Sequence, residues 1–138
     1  MRKRIVLISC VSQKLPHRAM ARELYISTLF KLNLKYAEKL APDKIFVLSA
    51  KHGLMALEIE IEPYEQTLNN MRSSEIRAWA DRVLEQIRGV CSIDDSEFIF
   101  LAGDKYRKHL LPHIKNYKVP LKGLRIGKQL QRLKELTL

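Results

Sequence analysis

Three short runs of adjacent apolar residues punctuate the chain, and between them apolar positions recur at helical spacing. Arg4-Ile-Val-Leu-Ile-Ser9, Lys44-Ile-Phe-Val-Leu-Ser49 and Glu97-Phe-Ile-Phe-Leu-Ala102 are β-branched or aromatic and of strand length. Ile76, Trp79, Ala80, Val83, Leu84 and Ile87 follow an i, i+3, i+4, i+7 pattern. That spacing predicts an amphipathic helix from a cap at Ser73 or Ser74 to about Arg88, stopped by Gly89. A second helical region starts at Ala19. Ser27 caps its latter part, Leu29, Leu32, Leu34, Tyr36 and Leu40 form its apolar face, and Ala41-Pro42-Asp43 ends it. Asp104 is the expected cap of a helix to about Ile114 that Pro112 bends or shortens. Val119-Pro120-Leu121 reads as a brief extended piece, and a last helix runs from about Ile126 to Leu136. Leu54 to Glu62, with Glu58, Glu60 and Glu62 alternating among apolar residues, reads as an extended or irregular excursion.

Strands without polar alternation are buried on both faces, and here they are separated by helices. The expected fold is α/β: a single compact domain over residues 1–138, with a short, mainly parallel sheet flanked by helices. Ligands of such sheets bind beyond the carboxyl ends of the strands, so the residues that follow each strand carry the functional information. Those residues are Ser9-Cys10-Val11-Ser12-Gln13-Lys14, Ser49-Ala50-Lys51-His52-Gly53 and Ala102-Gly103-Asp104-Lys105-Tyr106. All three ends are small or reactive rather than plain turns, and their expected convergence is the main argument for a site.

Each residue has two readings. Cys10, near Lys14, Lys51 and His52, is either a nucleophile or a small buried apolar residue. His52 is an acid/base or base-recognising group, or a hydrogen-bonded structural histidine. Lys14 and Lys51 are phosphate contacts or solvated loop charges. Glu62, stiffened by Pro63 and followed by Tyr64, suits general acid/base work or charge balance. Gly103 lets a phosphate or sugar approach the backbone, Tyr106 is more in keeping with packing than with catalysis, and Gly123, Gly127 and Gln129 form either a ligand-facing turn or a plain one. Ser49 completes the set at the second strand end. No metal-ligand spacing, Walker loop or GxGxxG occurs, so no metal or cofactor is expected.

Charge alters this picture more than overall composition does. Of the net +10 over 138 residues, positions 1–22 carry six Lys/Arg and no acid. Positions 23–102 carry nine Lys/Arg against thirteen Asp/Glu, and positions 103–138 ten against two. Basic ends around an acidic middle favour a polyanionic partner, or serve solubility alone. No apolar run approaches the ~20 residues of a spanning helix, and the run behind the basic N-terminus is too short for a secretory signal. Two unlike cysteines make no disulfide framework. The expectation is a cytoplasmic protein with no membrane partner.

Leu48-Ser-Ala-Lys-His-Gly-Leu54, followed by Ile61-Glu-Pro-Tyr64, resembles the central signature of the YaaA-like superfamily. The chain is more closely similar to a small prokaryotic and phage family of unknown function in that neighbourhood. That likeness rests on Cys10 and Lys14, and on Ala21, Arg22, Leu24, Tyr25, Ser27, Leu29 and Phe30. It continues through Leu101, Ala102, Gly103 and Tyr106, and through Pro120, Leu121, Gly123, Leu124, Ile126, Gly127, Gln129 and Leu130. The resemblance implies one compact α/β domain and no particular reaction. The function expected is that of an enzyme acting on a nucleotide, nucleoside or nucleic-acid base, with cleavage or exchange at an N-glycosidic bond taken by analogy. Lys14 and Lys51 then hold phosphate, His52 and Tyr64 position the base, and Glu62 does acid/base work. The alternatives are a non-catalytic nucleic-acid-binding accessory protein and a small protein-interaction module.

The charge distribution predicts salt-sensitive binding to DNA or RNA through residues 1–22 and 103–138. In a filter-binding titration the affinity should fall steeply as salt rises. Undetectable binding at low salt would remove the nucleic-acid partner and leave a small nucleotide as the substrate.

Overall fold

A computed structural model describes residues 2–138. The elements are β1 (Arg4–Ser9), β2 (Ala19–Met20), α1 (Ala21–Leu24), α2 (Thr28–Lys39), β3 (Lys44–Ser49), β4 (Gly53–Ala56) and β5 (Glu60–Ile61). They continue with α3 (Ser73–Arg88), β6 (Glu97–Leu101), α4 (Asp104–Arg107), β7 (Tyr117–Lys118) and α5 (Ile126–Leu136). The main sheet has the order β4-β3-β1-β6-β7. β1 pairs in parallel with β3 and β6, β6 in parallel with β7, and β4 antiparallel with β3. The α/β expectation is met, with one antiparallel edge. Ile5, Val6, Leu7 and Ile8 of the central strand are all buried, as expected of a strand covered on both faces. No helix among the described residues is long and apolar enough to cross a membrane.

The strand order places the site. From β1 the chain crosses to β3 on one side, and after α3 it returns to β6 on the other. Connections that leave neighbouring parallel strands in opposite senses open a crevice at their carboxyl ends. Here the crevice lies between β1 and β6. β3 instead ends in a hairpin to β4, so its turn folds back along the sheet edge.

Several expected elements differ from those observed. The region from Ala19 is not helical at first. Ala19 and Met20 pair antiparallel with Ile61 and Glu60, and the Ala21 and Arg22 amides donate to Ile59 and Leu57 carbonyls. The excursion at residues 54–62 thus captures this segment, and local propensity loses to tertiary pairing. Ser27 does cap α2, accepting from the Phe30 N–H at 3.1 Å. The residues α2 buries, however, are Phe30, Asn33 and Ala37, whereas the leucines and Tyr36 are only half-buried. The buried stripe of α3 is the expected one, but its N-cap is Arg72, whose backbone N–H donates to the Glu75 carboxylate at 3.0 Å. Gly103, not Asp104, caps α4, which stops after one turn. Leu111–His113 form a 3-10 turn around Pro112, and the last strand is Tyr117–Lys118 rather than Val119–Leu121.

Gly53 sits in the hairpin at φ +71°. An added Cβ there would collide with the Gln86 Oε1, which accepts the Leu54 N–H at 2.8 Å. Gly53→Ala therefore combines a left-handed penalty with a displaced hydrogen-bond acceptor. It should lower stability by about 1–3 kcal/mol in urea denaturation. An unchanged midpoint would mean that this turn relaxes freely.

Candidate functional site

The crevice at the ends of β1 and β6 is a cavity of about 1020 Å³, walled by the loop after β1, the start of α2, residues 64–69, the turn into α4 and the start of α5. Its volume is at the upper end of the range for small-molecule sites. Of the residues singled out in the sequence, Cys10, Lys14, Tyr64, Gly103, Tyr106 and Gln129 line it. Ser49, Lys51, His52, Glu62 and Gly127 do not.

Cys10 follows β1 and is held by its N–H to the Leu48 carbonyl at 3.0 Å. Its Sγ lies 3.4 Å from the Tyr106 hydroxyl, which also receives the Leu68 N–H at 3.4 Å. Burial pushes the Tyr106 phenol well above its ordinary range, and the Cys10 sulfur adds to the shift, so the phenol stays protonated.

Tyr64 joins the cavity to the end of β3. The buried Ser49 Oγ donates to the Tyr64 hydroxyl at 2.7 Å, and the Tyr64 and Tyr25 hydroxyls are 2.5 Å apart. Ser49 also accepts the His52 N–H at 3.0 Å, and its carbonyl accepts the Trp79 indole N–H at 2.8 Å. Burial raises both tyrosine pKa values, keeping the phenols neutral. His52 packs edge-on against the Tyr64 ring at 5.4 Å between centroids. It therefore supports a cavity wall from behind. Burial first, then the positive charges of Lys51 and Arg82, lower its pKa.

Lys14 is the cation of this wall. Its Nζ stands 4.4 Å from the centre of the Tyr64 ring and 5.7 Å from that of Tyr25. These are cation–π distances. Burial lowers the Lys14 pKa, with Cys10 and Glu65 pulling the other way. The other cations of the cavity are committed. Arg107 donates to the Ala102 carbonyl at 2.6 Å and lies 4.0 Å from Asp104, and Lys105 donates to the Asn69 carbonyl at 3.5 Å. Among the described residues, Lys14 makes neither a hydrogen bond nor an ion pair within 4.0 Å through its ammonium group.

The remaining candidates sit elsewhere. Glu62 belongs to the outer β2–β5 ribbon, 3.8 Å from Arg18, with its side chain 67% exposed. Lys51 is exposed in the hairpin turn, where its carbonyl accepts from Arg82. Gly127 is an exposed residue of the first turn of α5, while Gln129 Nε2 donates to the Leu124 carbonyl at 2.9 Å and so braces the turn before that helix. Sequence reasoning missed Asn33, Glu65, Thr67 and Arg107, all on the cavity wall. Glu65 and Thr67 carry no local signal, because the loop that delivers them is irregular. Asn33 carries one: it is a polar residue three positions after Phe30 and four before Ala37, on the face that α2 buries.

A model of a family described as a family of unknown function (DUF6884) matches residues 5–135. No curated protein and no solved structure matches.

The lowered pKa of His52 sets a pH dependence. The folded state binds fewer protons than the unfolded state from about the reference value of 6.5 downward. Stability is therefore unaffected by His52 above that value and falls as pH drops through 6.5 toward the folded pKa. In urea denaturation at pH 7.5 and 5.5, wild type should lose more stability than His52→Gln. Equal losses would show that His52 titrates as if free.

Proposed function

The chain belongs to this family, and since descent assigns it no activity, we propose from its site that it is an enzyme acting on a nucleotide or nucleoside bound in the β1–β6 crevice. The observation that carries the reading is Lys14: a cation half-withdrawn from water, lying over two neutral phenol rings, without an anionic partner, at the edge of a nucleotide-sized cavity. A phosphate supplies the missing counter-charge, and charge-assisted hydrogen bonds in such a place are among the stronger ones. The location at a switch in strand order supports the same reading. A tie to the YaaA-like superfamily, through Leu48–Leu54 and Ile61–Tyr64, is part of this proposal and adds no reaction to it.

The reaction proposed is hydrolysis at the N-glycosidic bond. Water adds to the anomeric carbon while the bond to the base nitrogen breaks, its electron pair staying on nitrogen. The proton lost by water passes to a carboxylate, and the departing base gains one. Glu65 and Asp104 are the carboxylates of the cavity wall, and Glu65 takes the acid/base role that sequence reasoning gave to Glu62. The Cys10–Tyr106 pair lines the floor and supplies a neutral hydrogen-bonding edge.

A second reading, a nucleic-acid-binding accessory protein, draws on the exposed faces of α2 and α5. Lys31, Lys35 and Lys39 form an i, i+4, i+8 row on α2, which packs against α5 with its exposed Lys128, Arg132 and Lys134. Such a row tracks a phosphate backbone.

The test is a thermal-shift panel of the four ribonucleosides and their 5′-monophosphates, followed by an assay for free base with any compound that binds. A nucleotide at a hundred times its Kd should stabilise the chain by about 2.7 kcal/mol. Lys14→Met should weaken monophosphate binding about ten- to hundredfold and leave nucleoside binding nearly unchanged. Absence of stabilisation by every member of the panel would sink the nucleotide reading. Binding without base release would sink the hydrolase.

A further inference from the structure

Asn33 stands in the second turn of α2, on the helix face that packs into the protein, and is only 5% exposed. Its neighbours on that face, Phe30 and Ala37, are apolar and fully buried. Its side chain lies on the cavity wall, yet among the described residues its Oδ1 has no hydrogen-bond partner and is sealed from solvent. It is the one buried side-chain oxygen or nitrogen so left among the described residues. An orphaned buried carbonyl destabilises a fold, whereas an apolar residue at the same place would cost nothing of this kind. The carboxamide therefore makes no visible contribution to the fold of the unliganded chain.

The same helix presents its N-terminus to the cavity. Ser27, Thr28 and Leu29 line it, and of the first-turn amides only that of Phe30 is taken by the Ser27 side chain. Lys14 stands on the same cavity wall as a free cation. One wall thus offers a positive end, made by a helix terminus and an ammonium, and a neutral carboxamide deeper along the helix. A ligand that matches both is anionic at one end and carries a planar hydrogen-bonding edge at the other.

We infer that Asn33 is the base-reading residue of this cavity. A carboxamide offers one acceptor beside one donor, and its terminal torsion is soft, so a half-turn exchanges the two. Every nucleobase presents a donor beside an acceptor on at least one edge, and asparagine pairs with such edges in two parallel hydrogen bonds. Binding would give the orphaned Oδ1 its partner. The amide would then discriminate a nucleotide from a base-free sugar phosphate, because leaving it unpaired beside the wrong ligand is costly. This inference rests on the nucleotide reading and goes beyond it by naming the group that recognises the base.

The experiment compares wild type with Asn33→Ala and Asn33→Leu, using the four ribonucleoside 5′-monophosphates and ribose 5-phosphate as probes. Without ligand, Asn33→Ala should melt at or above the wild-type temperature, because the orphaned group is gone. Affinity for the preferred monophosphate should fall about 5- to 150-fold in both variants, while affinity for ribose 5-phosphate stays the same. Monophosphate affinity unchanged in both variants would overturn the inference and leave the nucleotide reading intact. Equal losses for monophosphate and ribose 5-phosphate would also overturn it, since Asn33 would then be shaping the cavity rather than reading the base. Failure of Asn33→Ala to fold, or a clear drop in its melting temperature, would assign the amide to the fold. If no monophosphate binds wild type, both readings fall together.

Discussion

Strand β1 is hydrogen-bonded to a parallel strand on each side, and the chain leaves its end toward β3 and returns to its other flank at β6. The backbone after β1 and the backbone after β6 must therefore turn away from each other, and no side chain on the sheet can fill the gap between them. The residues at the gap are correspondingly small or polar: Ser9 and Cys10 on one lip, Ala102 and Gly103 on the other. The cavity is a consequence of winding direction, and its depth is set by what the later loops bring back over it.

The segment from β4 to Tyr64 supplies most of that cover. The β2–β5 ribbon pins its far end, after which Pro63 directs Tyr64 inward. Once there, the Tyr64 hydroxyl is shared with Ser49 and Tyr25, so the end of β3 is wired to the cavity although its own turn lies outside. Burial keeps these phenols protonated. Lys14, lying over them, therefore meets ring faces rather than phenolates, and a ring face only partly replaces the water a lysine gives up. The positive charge of the wall is left available to an anion for that reason.

The strands and α3 were legible because their residues obey one local rule each. A run such as Ile5–Ile8 has no polar position to spare, and the α3 stripe repeats at the helical period for four turns. The segment at Ala19–Leu24 was misread as helix because its local propensity is genuine and the partner that overrides it lies about forty residues away. The three-end convergence was half legible for a similar reason. Residues that follow parallel strands could be found by inspection, but whether β3 continues into a crossover or folds back as a hairpin depends on the pairing of Gly53–Ala56. That pairing removes His52 and Lys51 from the cavity. Glu62 and Glu65 lie three residues apart in an irregular loop, and no periodicity distinguishes the one facing Arg18 from the one facing Lys14.

Two features of the cavity oppose the stability of the empty fold. Lys14 is partly desolvated without a counter-ion, and Asn33 buries a carbonyl without a donor. Either is removable by a methionine or an alanine at no evident cost to the surrounding packing. Both lie on one wall of the same cavity, and the described residues contain no other orphaned buried side-chain oxygen or nitrogen. Random imperfections of packing would have no reason to collect at the point where the sheet itself opens. Their concentration there is what a site looks like when its last partner is a ligand: the local rules of satisfied hydrogen bonds and paired charge hold through the fold and lapse together where a further molecule would complete them.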